Sequence, residues 1–91
     1  MEFEFDPAKN AANLAKHGVP LLFGARVFDD PAVAAIDTIR AGDEELRYKA
    51  IGTIDGRLWT AVHVRRGTVV RLISVRRSNA NERRDYGRAE G

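Results

Sequence analysis

Arginines set inside a β-branched run are the residues best suited to chemistry in this 91-residue chain. Over 69–77 the sequence is Val-Val-Arg-Leu-Ile-Ser-Val-Arg-Arg, and it runs directly into Asn79-Ala80-Asn81-Glu82-Arg83-Arg84-Asp85-Tyr86. A half-buried guanidinium is costly to desolvate unless a negative group meets it. Its planar fork of donors fits a phosphate or a carboxylate. Around these arginines stand groups able to move protons: His17 and His63, Lys9 and Lys16, Glu45 and Tyr86. Arg47, Arg71 and Arg76 can stabilise negative charge. A base, an acid and cations are what a reaction at a phosphate ester needs, and none of these roles requires a metal. Each residue also has an ordinary use. His17 beside Gly18 suits a helix C-terminus, His63 a strand surface, and Lys9 and Lys16 an exposed helical face. Trp59 and Tyr86 are packing residues by type, Glu45 can pair with Arg47, and Arg71 and Arg76 can pair with Glu4, Glu45 or Glu82. Asp43-Glu44-Glu45 has no histidine at ligand spacing, so neither a metal nor any other cofactor is expected.

The elements that must position these groups are bounded by composition. Residues 1–55 carry six Lys/Arg and ten Asp/Glu, a net −4, while residues 56–91 carry nine arginines and three acids, a net +6. Such asymmetry points to a nucleic-acid surface on one side and a docking surface on the other. The length suits a single domain over residues 1–91 with one hydrophobic core. Absence of cysteine excludes disulfides and thiolate metal sites. No apolar run approaches the ~20 residues of a membrane span, and Met-Glu-Phe-Glu-Phe-Asp does not read as a signal peptide. A cytoplasmic protein without a membrane partner is therefore expected.

Glu2-Phe3-Glu4-Phe5 alternates as a short strand. Asp6-Pro7 then supplies a cap and a first helical residue, and the helix through Ala8, Ala11, Ala12, Leu14 and Ala15 stops at Lys16-His17-Gly18. Pro20 opens a second short helix over 21–28, ended by Asp29-Asp30-Pro31, and both helices are expected to be mostly core. From there the period becomes two: strands over 33–39, 46–54, 58–64 and 69–77, joined by a turn at 41–44, Asp55-Gly56 and Arg66-Gly67. Asn79 and Glu82 form a capping box for a last helix carrying Tyr86. The predicted class is α+β, with four antiparallel strands in a meander plus the short N-terminal strand.

Alternation places Leu58, Thr60, Val62 and Val64 toward the core with Leu46, Tyr48, Ala50 and Ile54. Trp59, His63 and Arg65 are then expected on an open face with Arg47 and Lys49, where a base can stack while cations hold phosphates. Arg66, Arg77 and Arg83 extend this basic surface. Without helix-turn-helix, zinc spacing or a base-reading helix, single-stranded RNA fits better than duplex DNA. RNA also brings its own nucleophile, the 2′-hydroxyl.

Phe5-Asp6-Pro7-Ala8-Lys9, Asn13, Lys16-His17-Gly18-Val19, Val27-Phe28-Asp29-Asp30-Pro31, Glu45-Leu46-Arg47-Tyr48, Gly52, Arg66-Gly67, the 71–77 strand and Glu82-Arg83-Arg84-Asp85-Tyr86 closely resemble the BrnT toxin family. The resemblance spans nearly the whole chain. It implies a ribonuclease of RelE-like fold, with two N-terminal helices on an antiparallel sheet. It also implies a translation-inhibiting toxin of a type II toxin–antitoxin system, paired with a BrnA-like antitoxin whose ribbon-helix-helix domain reaches operator DNA. It favours Lys9, Lys16, His17, Glu45, Arg47, Arg71, Arg76 and Tyr86 as catalytic candidates over Lys49 and His63. Where family members commonly carry a Phe-Glu-Glu-Ala type second helix, this chain has Pro20-Leu21-Leu22-Phe23-Gly24-Ala25, which changes the surface offered to a partner.

The reading that results is a metal-independent endoribonuclease. Its rivals are a non-catalytic nucleic-acid-binding module, with steep salt dependence and no scission, and an interaction protein whose arginines form structural pairs.

Overall fold

A computed structural model describes residues 1–38 and 46–90. Glu45 and the 41–44 turn lie outside the described residues. Five strands form one sheet: β1 (Glu2–Phe5), β2 (Ala34–Thr38), β3 (Arg47–Ile54), β4 (Arg57–Arg66) and β5 (Val69–Arg77), in the order β1-β5-β4-β3-β2. Helix α1 spans Pro7–His17, a 3-10 helix spans Leu21–Asp29, and helix α2 spans Ala80–Glu90. The class is α+β, as expected. β2 to β5 form the antiparallel meander, but β1 pairs with β5 in parallel, Glu2 opposite Val69 and Phe5 opposite Leu72.

Local sequence explains the starts and stops. The Asp6 carboxylate accepts the Ala8 N–H at 3.0 Å and Pro7 opens α1. Gly18, at φ +79°, closes it by donating its N–H to the Leu14 carbonyl. Asp55-Gly56 pairs Ile54 with Arg57 as a two-residue hairpin.

The core lies between the 3-10 helix and one face of the sheet. Leu21 and Val27 pack with Ala50, Ile54, Ala61, Val70, Leu72 and Val75, and Phe23, Phe28 and Trp59 close its margin. Approach is tight enough to require glycine: a Cβ at Gly52 would stand 2.7 Å from the Val27 carbonyl oxygen, and one at Gly24 would overlap Val75.

Two expectations are corrected here. The first concerns β4, whose faces are reversed. Trp59, Ala61 and His63 point toward the helix-covered core, Trp59 edge-on to Phe23 at 4.9 Å and His63 edge-on to Phe28 at 5.2 Å. Thr60 and Val62 point to the opposite side with Lys49 and Arg76. The hairpin fixes this phase: with Ile54 opposite Arg57, Ala50 stands opposite Ala61 and Tyr48 opposite His63, and residues directly opposite share a face.

The second correction concerns α1. Its alanines and Leu14 are exposed, and the helix turns Asn10, Asn13 and His17 inward instead, Asn10 Oδ1 accepting the Leu21 N–H of the 3-10 helix at 2.7 Å and Asn13 meeting the sheet. Beyond Leu72, strand β5 has no β1 residue beside it. Asn13 takes that place, its Nδ2 donating to the Val75 carbonyl and its Oδ1 accepting the Val75 N–H, both at 2.9 Å. A sheet edge demands polar groups rather than methyls, and the contact stripe of α1 is polar for that reason.

Candidate functional site

Strand β5 carries the arginines, and its geometry decides what they can do. Val62 is opposite Ser74 while His63 is opposite Leu72, so Ile73 is an extra residue bulging from the ladder. In a regular strand residues 71 and 76, five apart, would face opposite ways. The bulge puts Arg71 and Arg76 on the same side and also accounts for the core set of β5, which passes from Val70 and Leu72 to Val75.

On that side, away from the 3-10 helix, a cleft of two adjoining hollows opens beside the bulge. A hollow of about 400 Å3 is lined by Thr38, Arg47, Lys49, Val62, Ile73, Ser74 and Arg76. The second, about 210 Å3, is lined by Lys9, Ala12, Asn13, Lys16, His17, Ile73 and Ser74. Ile73 and Ser74 belong to both. Lys9, Lys16 and His17 face it together because Lys16 and His17 lie about two turns along α1 from Lys9. Among the described residues the lining has five Lys/Arg and no carboxylate.

Beneath the cleft lies Glu82, with a relative exposure of 1 %. Its Oε1 accepts from Arg76 Nη1 at 2.6 Å, Asn79 N–H at 2.9 Å and Thr60 Oγ1 at 3.0 Å. Its Oε2 accepts from Arg76 Nη2 at 2.7 Å and faces Lys49 Nζ at 3.1 Å. Asn79 Oδ1 accepts the Glu82 N–H at 2.9 Å, completing the expected capping box. Burial alone would raise the Glu82 carboxyl, but the donors from Arg76, Asn79 and Lys49 and the Arg76 charge hold it down at about 2. It is therefore ionised at neutral pH. One negative charge fixes two cations, and the group keeps a net positive charge toward the cleft.

His17 is held below its ordinary 6.5 by partial burial and by the charges of Lys16 and Arg76. At neutral pH its imidazole is uncharged and can accept a proton. The other candidates are distributed differently. Arg71 pairs with Glu4 at 3.3 Å beside the cleft. Tyr86 donates its hydroxyl to Asp30 Oδ2 at 2.7 Å. Burial would raise Asp30, but donors from Thr53, Ala32 and Tyr86 hold it at about 2, so this group is a structural lock between α2, β3 and the end of the 3-10 helix.

Of the residues read as RNA contacts, Lys49 lies in the cleft. Trp59 and His63 are on the other face, and His63, with 0 % exposure, offers no surface to a base. His63 Nδ1 is 3.0 Å from the Ala61 carbonyl, its ring stacks on Tyr48, and Nε2 has no partner in the described structure. Arg65 lies over the Tyr48 ring and Arg77 over Trp59, each at 5.7 Å, also on the core side of the sheet. Arg66 ends β4 exposed, and Arg83 on α2 donates to the Ser78 carbonyl.

Asn13, Ser74 and Glu82 belong to the cleft or its support although none is expected from the sequence as a site residue, Glu82 entering only as an ion-pair partner for the arginines. All three had a signal, since Asn13, Ser74 and Glu82 stand in the motifs that carry the family resemblance. Compared with known families, the chain matches the model described as "Ribonuclease toxin, BrnT, of type II toxin-antitoxin system" over residues 5–82. Among curated proteins, none matches.

Proposed function

The chain belongs to the BrnT family of ribonuclease toxins of type II toxin–antitoxin systems, and from that premise we propose that its basic cleft cuts single-stranded RNA without a metal ion. The observation that carries this reading is the Glu82-anchored pair of Arg76 and Lys49, on a floor that adjoins Lys9, Lys16 and an uncharged His17.

In this mechanism His17 removes the proton of a ribose 2′-hydroxyl as its oxygen attacks the adjacent phosphorus in line. Arg76 and Lys49 stabilise the charge that grows on the non-bridging oxygens. The phosphorus–O5′ bond breaks, and an ammonium from Lys9 or Lys16 protonates the leaving oxygen. The products are a 2′,3′-cyclic phosphate and a 5′-hydroxyl. Arg47 holds a flanking phosphate, and Trp59 and His63 are left out of RNA contact because of where they lie.

The family implies an antitoxin partner. We take this partner to be BrnA-like, with a ribbon-helix-helix domain through which the complex reaches operator DNA, and to mask the basic cleft. A RelE-like packing of the two N-terminal helices, translation inhibition and a cytoplasmic site of action belong to the same proposal. For location, the structure adds that no helix among the described residues is long and apolar enough to cross a membrane.

The test is cleavage of an end-labelled RNA by the purified chain in EDTA, alone and with translating ribosomes. Cyclic-phosphate ends, and protection by a single 2′-deoxy substitution at the cut, are expected. Intact RNA in both settings, or 5′-phosphate products that require a divalent ion, would overturn the reading.

A further inference from the structure

We propose that Glu82 is a positioning residue for the reaction: its carboxylate aims Arg76 and Lys49 into the cleft and thereby makes the C-terminal helix part of the site. This rests on the ribonuclease reading above. A capping box needs only the Asn79 N–H from this side chain, and an N3 glutamate that merely caps a helix can remain in water. Glu82 is instead buried and meets donors from β3, β4 and β5 as well. Stability alone is a poor reason for that arrangement, since a buried ion pair is commonly no better than an apolar contact of the same size.

The charge pattern and the exposures give the better reason. The side chains of Arg76 and Lys49 keep 28 % and 32 % of their surface open, whereas the carboxylate between them has almost none. The anion is hidden while the cations are presented. Arg76 engages both carboxylate oxygens, and such a two-point contact fixes the plane of the guanidinium as well as its place. Lys49, with one point charge and a flexible stem, is held only by position. Ser78 strengthens the seat from below, its hydroxyl 2.8 Å from that of Thr60.

Glu82→Gln keeps the shape and the capping acceptor but removes the charge. The expected result in the full chain is a folded protein whose kcat falls by ~100-fold, with KM altered much less, because a displacement of about 1 Å at the reacting phosphate carries that cost. Glu82→Asp, which keeps the charge on a shorter arm, should recover part of the loss. Arg76→Lys serves as the second axis of a cycle: if Glu82 acts through the guanidinium, the two losses combine to far less than their product.

Parental kcat in a folded Glu82→Gln protein would overturn the proposal, as would losses that multiply in full or fall on KM alone. Should Glu82→Gln fail to fold, Glu82→Asp with Arg76→Lys completes the cycle with the same two outcomes. An inactive parent chain would fail the ribonuclease reading instead.

Discussion

Replacing Glu82 by glutamine should change stability in a way that depends on pH, and the size follows from the site. Glutamine approximates the protonated carboxyl in volume and hydrogen-bonding capacity, so the variant reports what the charge contributes. The carboxyl is held at about 2 against an ordinary 4.5. At about 1.4 kcal/mol per tenfold change, the buried carboxylate contributes about 3 kcal/mol when ionised. Because the folded-state value is the lower one, this stability is fully present above 4.5 and is lost as pH falls toward 2. Urea unfolding followed by circular dichroism reads it directly. With a slope of about 1.5 kcal/mol per molar, the parent and Glu82→Gln midpoints should differ by about 2 M at neutral pH. That gap should hold down to about pH 5 and narrow to less than half of itself by about pH 3. A negligible gap at neutral pH, or one that stays constant to pH 3, would refute the reasoning, because either result means the charge is not what the donors hold.

Other substitutions address the remaining parts. Asn13→Ala leaves the Val75 N–H and carbonyl and the Val19 carbonyl without their side-chain partner; a loss of about 2–4 kcal/mol is expected, and calorimetry should show a Tm lower by roughly 10 °C or more. His17→Ala should lower kcat and remove the acid limb of the pH–rate profile, which in the parent lies below 6.5 because burial, Lys16 and Arg76 all disfavour the cation; an unchanged limb would exclude His17 as the base. His63 is held below 6.5 by burial, so it binds a proton more readily unfolded and subtracts stability as pH falls below that value. His63→Phe keeps the ring between Tyr48 and Phe28, removes the unpartnered Nε2, and should flatten the Tm difference between pH 7 and pH 5.

Much of the fold was legible because its punctuation is local. Asp6-Pro7, Gly18, Asp55-Gly56 and the Asn79–Glu82 box each act within a few residues, and each set its element where expected. Faces were harder. Leu58, Thr60, Val62 and Val64 form as good an apolar row as Trp59, Ala61 and His63, and only the register imposed by the hairpin separates them. That register was available from Asp55-Gly56: a two-residue turn puts Ala50 opposite Ala61. The bulge at Ile73 had no sequence mark, since Leu-Ile-Ser-Val continues a regular strand pattern, and it decides that Arg71 and Arg76 share a face. Arg76 was legible as a half-buried cation that demands an anion. Its anion was narrowed to Glu4, Glu45 or Glu82, and Glu82 lies only six residues on; that Lys49 shares this carboxylate depended on a contact between residues far apart in the chain.

The parallel pairing of β1 with β5 joins residues 2–5 to residues 69–72. Contacts so distant in sequence form late, since the loop between them must close before they reward the chain. Strand β1 and the edge seat of Asn13 therefore wait for β5, while Arg76 and Lys49 wait for Glu82 near the end of the chain. During synthesis the early part emerges with Lys9, Lys16 and His17 already linked but without the strand or carboxylate that complete the cleft. On the proposed reading of the cleft, a nascent chain whose α2 is still inside the ribosome holds no completed site, and premature termination upstream of β5 yields a fragment without the assembled cleft.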